Sequence, residues 1–388
     1  VVSASLVVIL SLTWYLRGIK LVEMAAEVVP TRTGIANLPL HYGRAPRWLF
    51  ERMVKLAREI TIAIVTDFGA EEMLRRLSHP YWFQAFGCVL GYDWHSSGVT
   101  TTLCGAIKEG IKGLERDLGL FVAGGKGKTS RRTPSEIEGW GNAISLNPAP
   151  LVYASRMSAK VDSSAVQDGY QLYHHVFIFT PRGSWAVVQQ GMNETNRYAR
   201  RYHWLGEAVT DFVNEPHSAV LSEARGRALN LVAGESNPAR TTIADIARRE
   251  KPEKVLAELK KIKTLNLPPH HYLNTRDLHP DSLSRILVSA YERQPEDFER
   301  LLGLRGVGPK TIRALSLISE LVHGVAPSYQ DPARYSFAHG GKDGIPYPVD
   351  RKTYDRSIEL LAKAVHRTKL SIREKNKAIN RLGKLRDG

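Results

Sequence analysis

The stretch Leu304-Arg305-Gly306-Val307-Gly308-Pro309-Lys310-Thr311-Ile312-Arg313-Ala314-Leu315 decides how the fold is read. Two glycines separated by one residue permit a tight turn and a close approach of the main chain to another body. Pro309 suits the first position of a helix, where its missing N–H costs nothing. Downstream, Ile312, Leu315, Ile318, Ser319 and Val322 mostly keep a helical period, so the turn opens a helix. The expectation is a hairpin between two helices whose N–H groups, with the Lys310 cation beside them, suit a phosphate. Gly306, Val307, Gly308, Lys310, Thr311 and Arg313 are therefore candidate contacts to a nucleic-acid backbone.

The charge points the same way. Lys and Arg number 54 against 39 Asp and Glu, a net +15, and a surplus of one sign favours a polyanion because each neutralised phosphate releases a condensed counterion. Part of the surplus sits at the end: residues 350–388 hold twelve Lys/Arg against five Asp/Glu, on a helical pattern through Ile358, Leu361, Ala362 and Val365. The alternative is a solvated charged face in a heat-tolerant protein. The 388 residues suffice for two or three domains with buried cores. The two cysteines, Cys88 and Cys104, support neither a disulfide framework nor a cysteine-rich metal site, and a cytoplasmic setting is the simpler expectation.

Val1 to Leu16 form an apolar run shorter than the roughly 20 residues a membrane span requires, and no basic n-region precedes it. Residues 1–30 are read as a non-globular or upstream extension, Met24 standing just before the first globular text, and no membrane partner is expected. Residues 31–150 read as a mostly helical domain with a basic loop at Gly124 to Arg132. A phosphate-binding P-loop would need glycine at Val122, so this segment is expected to be a mobile, phosphate-contacting loop instead. Within 151–206, Tyr170 to Thr180 and Trp185 to Gln190 read as strands joined at Pro181-Arg182-Gly183 in a β-hairpin. From 207 to 388 the chain reads as helix, ending in a basic helix. The fold class is thus α+β: a mixed N-terminal and central region with a β-hairpin or small sheet, followed by an all-α domain that carries the glycine hairpin.

Polar residues crowd the central strands, among them Lys160, Asp162, Asp168, His174, His175, Gln189 and Gln190. His174 and His175 are adjacent on a strand and point to opposite faces, so at most one joins Asp168. One outcome is a hydrogen-bonded core histidine beside an exposed one. The sharper outcome is a phosphodiester-cleaving site in which Asp162 and Asp168, with His174, act as bases or hold Mg2+ or Mn2+. Against a restriction-type nuclease core, Val187-Val188-Gln189-Gln190 stands where a Glu-x-Lys pair belongs, and glutamine cannot act as a base.

Leu304 to Thr311, followed by Pro348-Val349-Asp350-Arg351-Lys352-Thr353-Tyr354, resembles the helix-hairpin-helix DNA glycosylase superfamily. The resemblance implies that Lys310 is the amine nucleophile of the bifunctional members and Asp350 their carboxylate, with no cofactor and with the target base leaving the stack. Lys310 and Asp350 stand further apart than in that family. The intervening Gln330 to Gly344 is rich in ionisable groups, and its Arg334 and Lys342, with Arg351 and Lys352, are further candidate DNA contacts. From about Arg32 onward the chain also resembles a prokaryotic family of archaea and thermophilic bacteria, a domain of unknown function, through Gly34 to Gly43, Asp93 to Gly98, Gln189 to Asn193 and Asp331 to Gly344. Three functions follow, in order of preference: a DNA-repair glycosylase or lyase, a metal-dependent nuclease with its site in the central segment, and a non-catalytic nucleic-acid binder.

Overall fold

The computed structural model describes residues 45–92, 97–222, 226–262, 264–265, 267, 280–333, 365–366, 373, 375–376 and 378. The fold is mixed α and β. Among the described residues four helices come first, α1 (Arg47–Phe68), α2 (Ala70–Ser78), α3 (Pro80–Val89) and α4 (Gly98–Gly110). A one-turn helix, α5 (Glu115–Leu118), leads into strand β1 (Phe121–Lys126). A 3-10 turn, Gly127–Arg132, carries the chain into α6 (Thr133–Ala143) and then α7 (Ala149–Lys160), which ends in a π-helical turn, Val161–Ala165.

The strands β2 (Val166–Gln167), β3 (Gln171–Phe179), β4 (Trp185–Asn193), β5 (Tyr198–Leu205), β6 (Ala219–Leu221) and β7 (Arg227–Asn230) follow. Helices α8 (Asn237–Arg249), α9 (Pro252–Ile262), α10 (Pro280–Arg293), α11 (Phe298–Gly303) and α12 (Pro309–Leu321) precede a short strand, β8 (Ser328–Gln330).

The main sheet is antiparallel, in the order β1-β3-β4-β5-β6, and a smaller one runs β2-β7-β8. The β3–β4 hairpin expected from the sequence is present, and Gly183, at φ +83°, turns it. Both faces of the main sheet are covered, so successive residues are apolar on both sides: Phe177 and Phe179 join one core, and Val176 and Ile178 the other. The first core includes α7 and the C-terminal helices; the second is built with α1 to α4.

Two expectations are corrected. The chain after residue 207 is not all helix, because β6, β7 and β8 lie within it; strands of three or four residues are too short for an alternation of polarity to show. The glycine-rich basic segment is not a free loop: β1 runs through Gly124 and Gly125 to Lys126 and pairs with β3. Gly124 makes this pairing possible. It sits at φ +91°, and a Cβ there would lie 2.3 Å from the His175 carbonyl oxygen.

Candidate nucleic-acid interface

Helices α11 and α12 are joined by Leu304 to Gly308, with Gly306 at φ +92°, a conformation that suits glycine. Below this turn lies the segment that leaves α7. Lys160 Nζ donates to the carbonyls of Leu304, at 3.2 Å, and Val307. Gln167 Nε2 donates to the carbonyl of Pro309 at 2.9 Å, and Arg313 Nε donates to Gln167 Oε1 at 2.6 Å. Three hairpin carbonyls are thereby held by residues 160 and 167, and burial lowers the Lys160 ammonium pKa. Arg305, Gly306, Pro309 and Lys310 are exposed on the turn. No side chain caps α12, and neither Arg305 nor Lys310 has an ion-pair partner among the described residues.

The other predicted contacts divide. Val307 and Thr311 are buried, so their side chains pack in the core and only their backbone is on offer. Arg313 is spent on Gln167. Arg334, Lys342, Asp350, Arg351 and Lys352 lie outside the described residues. Beside the hairpin a groove of about 740 Å³ is lined by Val152, Tyr153, Arg156, Met157, Lys160 and Gly303 among others. Arg156 is an exposed cation there, while Glu138 also contributes to the lining.

The central carboxylates belong to buried hydrogen-bond networks. Asp162 is fully buried in the π-helical turn. Its Oδ2 accepts from Gln189 Nε2 at 2.5 Å and Trp204 Nε1 at 3.0 Å, and its Oδ1 meets His217 Nε2 at 2.5 Å. Burial raises its pKa above the ordinary carboxylate range, against the opposing pull of His217 and Trp204. Gln189 Oε1 accepts from His175 Nδ1 at 2.8 Å, and His175 Nε2 faces Ser155 Oγ at 2.9 Å. Asp168 Oδ2 accepts from Arg200 and from the Tyr202 hydroxyl, at 2.8 and 2.7 Å, while Asp331 takes the other side of Arg200. These carboxylates tie the π turn and the segment at 331 to β5.

His174 faces the opposite layer, as the alternation requires. Both histidines are buried, which corrects the expectation that one would be exposed. One rung of the main sheet aligns Lys126, His174, Gln190 and Arg201 across β1, β3, β4 and β5. Gln190 Nε2 donates to the Ser97 carbonyl at 2.9 Å and to the Tyr173 hydroxyl at 2.5 Å, and its Oε1 accepts from Thr100. A bulge between Leu172 and His174 breaks the alternation of β3 beside Tyr173. Arg201 donates to Thr100 and Gln84 and lies over the Phe83 ring. Burial first, then the neighbouring His175, Lys126 and Arg201, push the His174 imidazole down to about 3.

Residues 34–349 match the family described as a protein of unknown function, DUF763. The chain belongs to the DUF763 family. The matched span includes the hairpin, its Lys160 and Gln167 supports, and the polar rung. No curated protein and no solved structure matches this DUF763 chain. Lys160 stood out in the sequence only as one of many polar residues, because the carbonyls it binds lie 144 and 147 positions away. Gln167 carried no signal at all. Of the Lys126–His174–Gln190–Arg201 alignment the sequence offered only the β3–β4 part, because β1 has the composition of a loop and β5 was not read as a strand.

Proposed function

We propose that this protein binds DNA by its phosphate backbone, with the Leu304 to Lys310 turn as the grip. The observation that carries this is the polarity of the turn: Lys160 and Gln167 hold three of its carbonyls from one side, while Arg305, Gly306, Pro309 and Lys310 are exposed at the uncapped start of α12. Amide N–H groups and cations at a helix N-terminus favour an anion, and backbone contacts of this kind fix position without reading sequence. The net charge of +15 supports the same partner.

Lys310 acts in this reading as a phosphate contact. An amine nucleophile is activated by desolvation, and Lys310 is exposed. The oxygens of Asp162 and Asp168 are committed to buried donors, so the central segment supports the structure of the platform beneath the hairpin. The test is fluorescence anisotropy on short duplex and single-stranded DNA. Gly308→Asp, which places an anion and a side chain on the turn, should weaken binding by at least about tenfold while leaving the thermal transition intact. Equal affinity of the folded variant and the parent would rule out the hairpin as the grip.

A further inference from the structure

We propose that the Lys126–His174 end of the polar rung is a second binding site, one that takes a phosphate monoester. The inference is independent of the hairpin reading. It begins with an unmet need: His174 is 2% exposed, yet neither of its ring nitrogens has a hydrogen-bond partner among the described residues. Buried polar groups are almost always paired, and the cost of leaving one unpaired is about 1–3 kcal/mol. A buried histidine with both nitrogens open therefore points to a ligand.

The surroundings decide its sign. Along the rung His174 lies between Lys126 and Gln190, with Arg201 one strand further. Lys126 is exposed, has no ion-pair partner among the described residues, and stands 5.6 Å from the centre of the Tyr173 ring. Lys128, Arg131 and Arg132 follow it in the 3-10 turn, and they too form no ion pair among the described residues. Gln190 is already committed to Ser97, Tyr173 and Thr100, which leaves Lys126 and His174 as the donors. A metal cation would meet two positive side chains and no carboxylate among these groups. An oxyanion would meet an ammonium, an imidazole N–H and the positive field of Arg201.

The depth selects the kind of phosphate. The rung runs from exposed Lys126 to buried His174 and Arg201, so the ligand must enter end-on. A backbone diester is substituted on two oxygens and has to pass across the site. A monoester presents three oxygens at one end and carries about −1.5 to −2 charges at neutral pH. That end group belongs either to a nucleic-acid terminus or to a free small phosphate, and the chemistry of recognition is the same for both.

The experiment observes His174 directly in the full-length protein with isotope-labelled histidine. Its imidazole resonance is assigned with His174→Asn or, if that variant does not fold, His174→Gln. The probes are inorganic phosphate, a mononucleoside 5′-monophosphate, and oligonucleotides ending in phosphate or in hydroxyl. The expected result is a saturable shift of the His174 signal with phosphate-ended probes and none with the hydroxyl-ended oligonucleotide. Tighter binding of the phosphorylated oligonucleotide than of the mononucleotide would identify a strand terminus as the source; equal binding would identify a free phosphate.

Lys126→Ala, at an exposed position, should weaken the response by about tenfold or more, the size of one charge-assisted contact. Gly308→Asp should leave the inorganic-phosphate response in place, which separates this site from the hairpin. A His174 signal unmoved by every phosphate-ended probe, or a response of equal affinity in Lys126→Ala, would overturn the proposal.

Discussion

Lys160 shows how much one side chain can decide. It spends its half-buried ammonium on two carbonyls of the hairpin, and burial lowers its pKa. Replacing it by methionine keeps the aliphatic stem and removes both bonds. The loss should cost about 1–3 kcal/mol in urea denaturation, because the carbonyls of Leu304 and Val307 lose their donor. DNA affinity should drop with it, yet the salt dependence of binding should stay that of the parent, since Lys160 positions the turn rather than touching phosphate. A salt slope smaller by about one counterion in Lys160→Met would instead make it a direct contact. The sequence showed the glycines, Pro309 and Lys310 of the turn because a tight turn needs those residue types locally. It could not show Lys160, whose partners are brought to it only by the packing of α11 and α12 against the end of α7.

At the level of elements, the β3–β4 hairpin was legible because two short apolar runs rich in β-branched and aromatic residues flank the Pro181-Arg182-Gly183 turn. β1 was not, since Gly124-Gly125-Lys126-Gly127 has the composition of a loop and becomes strand only through close approach to His175. The same strand pair buries two neutral histidines, with consequences for stability. The imidazoles of His174 and His175 are pushed by burial to about 3 and about 4. In the unfolded chain both take a proton near 6.5. Between about pH 6.5 and 4 the unfolded state therefore binds more protons, so stability is full above 6.5 and falls as the pH drops through that window. Each histidine contributes a slope of up to about 1.4 kcal/mol per pH unit. Chemical denaturation at pH 7.5 and 5.5 should show the fall, and His175→Gln should lessen it by the share of one histidine. A stability that is level across this range, or that rises on acidification, would contradict the buried neutral state.

For the whole molecule, the core that holds Phe121, Phe177 and Trp204 also holds Ile243, Leu301, Ile312 and Leu315, and β8 pairs with β7 across the helical segment. A chain ending at residue 235 would lose α8 to α12 and expose the face they cover. It should lack a cooperative urea transition and near-ultraviolet circular dichroism; retention of both would show that the first part folds alone. The long-range pairing of β7 with β8 had no signature in the sequence, because four- and three-residue strands on either side of α8 to α12 share no local pattern. Point variants in the intact chain are therefore the sound route to testing the proposed DNA interface.

The global charge supplies the measurement. With a net +15, binding to DNA should weaken steeply with salt, the logarithm of affinity falling linearly with the logarithm of salt concentration. Arg305→Ala and Lys310→Ala each remove one cation from the exposed edge of the turn, and each should reduce the magnitude of that slope by about one while weakening binding alike on unrelated sequences. Lys254→Ala is the control: it lies on α9 and is paired with Glu250 at 3.3 Å. It should leave the slope unaltered. If all three variants changed the slope equally, the attraction would belong to the surface charge as a whole and not to the hairpin. A reduction confined to Arg305 and Lys310 would place the phosphate contacts at the turn.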